Sequence, residues 1–176
     1  TVQVATTVQP EACFAINDAE LDAVLVWGAA MRAVMMAGAL EEALAATVGY
    51  SLERKQFGKA IAKFQAIQQQ LAVFATQVAA STRAAETLMV QPEVAVIDVA
   101  IAKARIGEAA GICAEIAHQV HGAIGYTRDH RLNHLTRRLW SWRDAFGHEA
   151  YWQERLGRTL LADETGDLWQ QVTALG

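Results

Sequence analysis

From Ala23 to Gly49 the chain is almost wholly apolar, interrupted by charge only at Arg32 and at the pair Glu41–Glu42. Those charges would be costly in lipid, so the run predicts a helix buried in a bundle rather than a membrane span. Asn17 stands ahead of it with Glu20 three residues on, the pattern of a capping box. The helix is expected to run to about Arg54 and to stop near Phe57-Gly58. Its alanine content implies close packing. A second helix is predicted from about Phe64 to Val90, with Phe64, Ile67, Leu71, Phe74, Val78, Ala85 and Met89 forming one apolar stripe. Gln91-Pro92 ends it. A third is expected to start at Pro92 and run to about His121, with Val94, Ile97, Ile101, Ala104, Ile112, Ile116 and Val120 as its core face. A fourth spans about His130 to Arg143, and after a break at Gly147 a fifth piece runs from His148 to about Leu161.

Four long helices with short connections predict an all-α fold, an antiparallel four-helix bundle over residues 17–165. Residues 1–12 alternate briefly through Val2, Val4, Thr6 and Val8, which reads as the tail of a strand. Residues 1–16 are therefore expected to be the end of a preceding β domain or a linker, and 166–176 a tail. There is no internal repeat.

Composition narrows the class. With 176 residues the chain makes one domain or one layer of a larger protein. Hydrophobic residues make up 53% and charged ones 19%, so some apolar surface is expected to be buried against another chain. A net charge of −4 argues against nucleic acid or an anionic membrane as partner. Cys13 and Cys113 lie far apart with no CxxC pairing, and read as free thiols in a reducing, cytoplasmic compartment. Neither they nor the five histidines show metal-ligand spacing. Arg32, inside an apolar helix, requires a buried partner or an interface.

Two stretches carry candidate chemistry. In ERKQFGKAIAKFQ (53–65), Arg54 at a helix end presents a planar fork suited to phosphate. Phe57 can cover a ring, Gly58 lets backbone approach closely, and Gln65 lies at the positive end of the next helix. The same residues are also what a basic helix end, a turn glycine and a core phenylalanine look like. In QVHGAIGY (119–126) a helix runs into a glycine-bearing turn, which suits either a ligand contact or a plain helix cap.

Taken together, ERKQFGKAIAKFQ and, some fifty residues on, QVHGAIGYTRDH resemble the C-terminal helical domain of the acyl-CoA dehydrogenases, from about Leu21 to Leu161. Family members are about twice as long, so the resemblance implies either a fragment or a chain completed by another polypeptide. It implies FAD as cofactor, with the ADP half held across a subunit boundary. On that pattern Arg54 contacts the pyrophosphate, Phe57 and Ile61 pack on the cofactor, and Gln65 lies near its adenosine end. Gln119, Gly122 and Ala123 approach from the second turn, with Ala123 where the family usually has a glycine.

The reaction implied is α,β-dehydrogenation of an acyl-CoA, in which a glutamate takes the α-proton and the flavin accepts hydride from the β-carbon. At the usual glutamate position, in the loop before the last helix, stands Phe146, and His148 takes the place of the hydroxyl residue beside it. The family's other base position, on the first long helix, corresponds to Trp27-Gly28-Ala29, again without an acid. Asp144 and Glu149 flank the loop as alternative bases; their other role is pairing with Arg143 or Arg155. The stretch from Thr136 to Trp152 resembles shorter actinobacterial members, several of which pair a catalytic with a supportive subunit on steroid side chains or other bulky acyl-CoAs. Trp140, Trp142 and Trp152 are expected to pack, and His118, His121, His130 and His134 to cap helices or line interfaces.

The expectation is thus an acyl-CoA dehydrogenase-like subunit without its own base, completing the FAD site of a homologous subunit in an α2β2 complex, with an electron-transfer flavoprotein-like acceptor. Two alternatives stand beside it. One is the C-terminal domain of a catalytically complete homotetrameric enzyme, with this chain as its own partner. The other is a structural bundle without flavin.

Overall fold

The computed structural model describes residues 16–90 and 93–162. The expected strand end in 1–12 and the tail at 166–176 lie outside them. Helix α1 spans Asp18–Glu53, α2 Gln65–Val90, α3 Val96–His121, α4 Arg131–Asp144 and α5 Glu149–Leu161. Between α1 and α2 lies a small antiparallel hairpin, β1 Lys55–Gln56 and β2 Lys59–Ala60, then a 3-10 turn at Ile61–Lys63. A second 3-10 turn, Gly122–Tyr126, follows α3. The all-α bundle expected from the sequence is present.

The capping box at α1 forms as read: Glu20 N–H donates to Asn17 Oδ1 and Asn17 N–H to Glu20 Oε2, both at 2.9 Å. The start of α3 differs from expectation. Ala95 is still extended, with ψ 136°, so the helix begins at Val96 and not at Pro92. The extended backbone lets Val94 fold back onto the core.

Helix α3 is central and packs against α1, α2, α4 and α5. That position explains why its isoleucine stripe is not the main core face. Ile112 is 39% exposed and Ile97 and Ile101 are half-buried, while Ala100, Ala102, Ala109, Ala110 and Ala117 are buried with Val99 and Ile106. A helix surrounded on most sides needs small residues to let its neighbours approach. On α2, Phe74, Val78 and Ala85 are buried as predicted, but Leu88 takes the core place expected for Met89, which is 69% exposed.

Helix α1 is long and apolar enough to cross a membrane by length and composition, yet it packs along the bundle against α2, α3 and α4. Arg32 finds its partner in Trp142, with the guanidinium 5.6 Å from the ring centroid. One stripe of α1 stays uncovered among the described residues: Leu21, Val24, Trp27 and Met31 are exposed at three- and four-residue steps. It matches the apolar surface that composition said would be buried elsewhere.

Candidate functional site

The first feature is a cleft of about 540 Å³ between the end of α1, the hairpin, the start of α2 and the end of α3. It gathers Arg54, Phe57, Ile61, Gln119, Gly122 and Ala123, so two stretches far apart in sequence meet in one place. Gln65 does not line it; it is exposed on the first turn of α2, beside the lining residues Phe64 and Ala66.

Local chemistry explains this convergence. Phe57 (φ 50°) and Gly58 (φ 77°) are the two central residues of the hairpin turn, and both adopt left-handed backbone, as a two-residue turn of this hand requires. Glycine does this freely; phenylalanine does not. The turn lifts Phe57 into solvent at 90% exposure, braced edge-on by Phe64 at 6.2 Å. Arg54 is the C-cap of α1, its N–H donating to Tyr50 O at 2.9 Å and its own carbonyl accepting from Ile61 N–H at 2.8 Å. The backbone is fixed while the guanidinium forms no ion pair among the described residues. Gly122 ends α3 with φ 65° and nothing within 4 Å of where a Cβ would be, leaving its backbone open to the cleft.

Sequence reasoning missed Tyr50, Gln56, Phe64, Ile67 and His121 in this lining. Tyr50 stacks on His121 with centroids 4.5 Å apart. His121 Nδ1 lies 2.8 Å from Ala117 O, and since a carbonyl only accepts, that nitrogen carries the proton. Burial holds the His121 pKa below the usual histidine value, which keeps the ring neutral. The signal for Tyr50 was its place one turn before Arg54 on α1. His130 and His148 act as N-caps of α4 and α5. A free guanidinium, an open aromatic face and an unobstructed glycine backbone fit the diphosphate and ring of a nucleotide.

The second feature is the loop Ala145–His148 between α4 and α5. Phe146 has φ 58° and Gly147 φ 92°. The Phe146 ring lies on Gly28 of α1, so closely that a methyl group there would be 2.4 Å from ring carbons. The two positions read in the sequence as possible base sites are therefore one place, occupied by a phenyl ring on a glycine. Trp152, fully buried, donates from Nε1 to Phe146 O at 2.9 Å. A side chain at 147 would meet Tyr151 at 2.7 Å and Trp152 Nε1 at 2.9 Å, so glycine is required there. Lys103 of α3, which sequence reading passed over as one lysine in an apolar helix, donates to the carbonyls of Trp142, Arg143 and Gly147 at 3.1, 2.7 and 2.9 Å.

Neither flanking acid is poised as a base. Glu149 is held by Arg143, whose Nε donates to Oε2 at 2.8 Å and whose Nη2 donates to Oε1. This hydrogen bonding pulls its pKa down to about 2, against some opposition from burial. Asp144 is exposed at the end of α4. His148 spends its Nδ1 accepting from Tyr151 N–H at 3.2 Å.

Residues 21–161 match the family described as acyl-CoA dehydrogenase, C-terminal domain. The chain belongs to the acyl-CoA dehydrogenase family. Among curated relatives it is 30% identical over 168 residues to acyl-CoA dehydrogenase FadE27 of Mycobacterium tuberculosis, covering 82% of this chain and 45% of that protein. It is 38% identical over 117 residues to the caffeyl-CoA reductase-Etf complex subunit CarC of Acetobacterium woodii, covering 62% of this chain and 29% of that one. Among solved structures, the ChsE4-ChsE5 complex from Mycobacterium tuberculosis superposes with a TM-score of 0.74 at 27% identity, over 85% of this chain and 42% of that chain. The chain spans less than half the length of these relatives. FAD is the cofactor of the acyl-CoA dehydrogenases, and the cleft described above has the groups to meet its nucleotide half.

Proposed function

We propose that this chain is the supportive subunit of a flavoprotein complex that dehydrogenates an acyl-CoA between its α- and β-carbons. It lacks a base of its own and completes the FAD site of a homologous partner. The observation that carries the reading is the phenyl ring of Phe146 on Gly28, the two positions that the family resemblance makes the places of the acid. An aromatic ring has no proton-accepting group, and Glu149 is committed to Arg143.

The chain's own contribution is binding and orientation. Bound FAD supplies the hydride acceptor. Arg54 pairs with the diphosphate, and Phe57 and Ile61 cover the adjoining apolar surface. Gln119 and the Gly122–Ala123 backbone approach from the end of α3, and Gln65 marks the adenosine end. A cleft whose charged and aromatic groups point outward serves a cofactor seated largely in another subunit. The uncovered stripe of α1 offers further apolar area for assembly. We take the complex to be α2β2, in a reducing cytoplasmic compartment, passing electrons to an electron-transfer flavoprotein-like acceptor. Likeness to one chain of a two-component complex supports the heteromeric form. The resemblance of Thr136–Trp152 to actinobacterial members supports bulky acyl-CoAs, steroid side chains among them, as the substrate class.

One observation favours a second reading: the chain covers less than half of its relatives, which suits the C-terminal domain of a complete enzyme. The test is substrate-driven flavin reduction, followed anaerobically in the native complex with a series of saturated straight-chain and ring-bearing acyl-CoAs. With Asp144→Asn and Glu149→Gln together, the supportive-subunit reading predicts the rate within about three-fold of native. Loss of a catalytic base costs on the order of 10²-fold or more, and a drop of that size would place the base in this chain.

A further inference from the structure

Among the described residues Lys103 is the one Lys, Arg, Asp or Glu that is buried, with no exposed surface. Its three hydrogen bonds run to carbonyls, not to a carboxylate: Trp142 O and Arg143 O in the last turn of α4, and Gly147 O within the loop that follows. An ammonium has three donors, and here all three are used. Packing alone would be served by methionine, without the cost of burying a charge. What the amino group adds is a tie between the end of α4 and Gly147, the second of two left-handed loop residues after Phe146. Helix α3 is shaped to receive it: one turn on from Lys103, a Cβ at Gly107 would lie 3.2 Å from Glu149.

We propose that Lys103 is the positioning residue of the Phe146 loop: by clamping the end of α4 to Gly147, it holds the phenyl ring shut on Gly28 and seals this chain's proton-abstraction position. The statement about the sealed position rests on the reading of Ala145–His148 as the loop that bears the base in other family members. The clamp itself rests only on geometry.

The clamp has a chemical signature. The charged groups around Lys103 are Glu149 on α5, Asp144 and Arg143 on α4, and Arg32 on α1. Burial outweighs the two carboxylates and, with the two arginines, lowers its pKa to about 8. Because the folded-state value lies below the ordinary lysine value, the closed loop favours the neutral amine, and any opening that exposes the amine becomes rarer as pH rises above about 8.

The experiment is amide hydrogen exchange by mass spectrometry on the native complex from about pH 6.5 to 9.5, corrected for intrinsic exchange. Peptides over 143–150 are compared with peptides in α2. Losing a charge-assisted bond corresponds to roughly a ten- to hundred-fold rise in opening. Opening of the native loop is expected to fall at least about ten-fold between about pH 8 and 9.5, with α2 unchanged. Lys103→Met, which leaves three carbonyls without their donor, is expected to open the loop by about ten-fold or more at pH 7 and to abolish the pH step. A flat native profile, a rise in opening with pH, or a fall shared equally by α2 overturns the proposal. If Lys103→Met fails to fold, the native profile decides alone. The readout is independent of flavin: a complex with one flavin per copy of this chain and a clamped loop would sink the supportive-subunit reading and leave the clamp standing.

Discussion

Gly28 and Phe146 can be tested against each other by a double-mutant cycle. Glycine inside a helix costs about 1 kcal/mol relative to alanine, so Gly28→Ala would stabilise α1 by that amount if nothing lay beside it. In this fold the new methyl would sit 2.4 Å from the Phe146 ring. Overpacking of that kind costs about 1–3 kcal/mol, because the ring must leave a loop fixed by Trp152 and Lys103. The net expectation for Gly28→Ala is a loss of about 0–2 kcal/mol, or a Tm lower by up to about 6 °C for a domain of this size. Phe146→Ala loses the burial of a ring that is 38% exposed, again about 1–2 kcal/mol. With the ring gone, Gly28→Ala recovers its helical benefit of about 1 kcal/mol. The cycle therefore predicts a coupling of about 1–3 kcal/mol, read from urea midpoints of the native, two single and double variants. If Gly28→Ala stabilises by about 1 kcal/mol while Phe146 is present, the ring is not on Gly28 and the account of the filled base position fails.

Other consequences follow from the same geometry. Arg54→Gln should weaken flavin retention in the complex at least about ten-fold, by loss of a charge-assisted bond, while Tm moves by less than about 2 °C, since Arg54 is exposed and forms no ion pair among the described residues; equal flavin content after dialysis would contradict its placement. Glu149 has a folded-state pKa near 2 against an ordinary value of 4.5, so its contribution is complete above pH 4.5 and is lost as pH falls toward 2. Its size is about 3 kcal/mol, and Glu149→Gln should flatten this part of the acid-denaturation curve. Trp152→Phe removes the bond to Phe146 O but keeps most of the ring, so a cost of about 1 kcal/mol in urea unfolding is expected. A cost near zero would mean the loop does not depend on that bond.

Periodicity and caps made the helices readable. Asn17, Glu20, His130 and the break at Gly147 all act locally, and local chemistry is visible in a linear sequence. The face of α3 was not readable in the same way. An apolar stripe singles out large side chains, but a helix enclosed by four neighbours buries its alanines and turns Ile112 toward solvent. The cofactor cleft was legible as two motifs, and the fold brings them together with Tyr50 and His121 added between them. Gln65 remained outside the lining because Phe64, just before α2, and Ala66, in its first turn, line the cleft there instead. Lys103 left almost no trace: one lysine among apolar residues looks like a solvated position until three carbonyls from the end of α4 and the loop after it, some forty residues later, close on it. The hairpin was likewise hidden, since four residues of strand are too short to show alternation. Only Phe57-Gly58, read as a helix stop, marked the turn.

The central claim is that this chain completes a flavin site which it does not run. It is tested most directly by counting FAD per polypeptide in the native assembly, with each polypeptide identified by intact mass. One flavin for each pair of unlike subunits is the result predicted. One flavin per copy of this chain, in an assembly of identical chains, would contradict it.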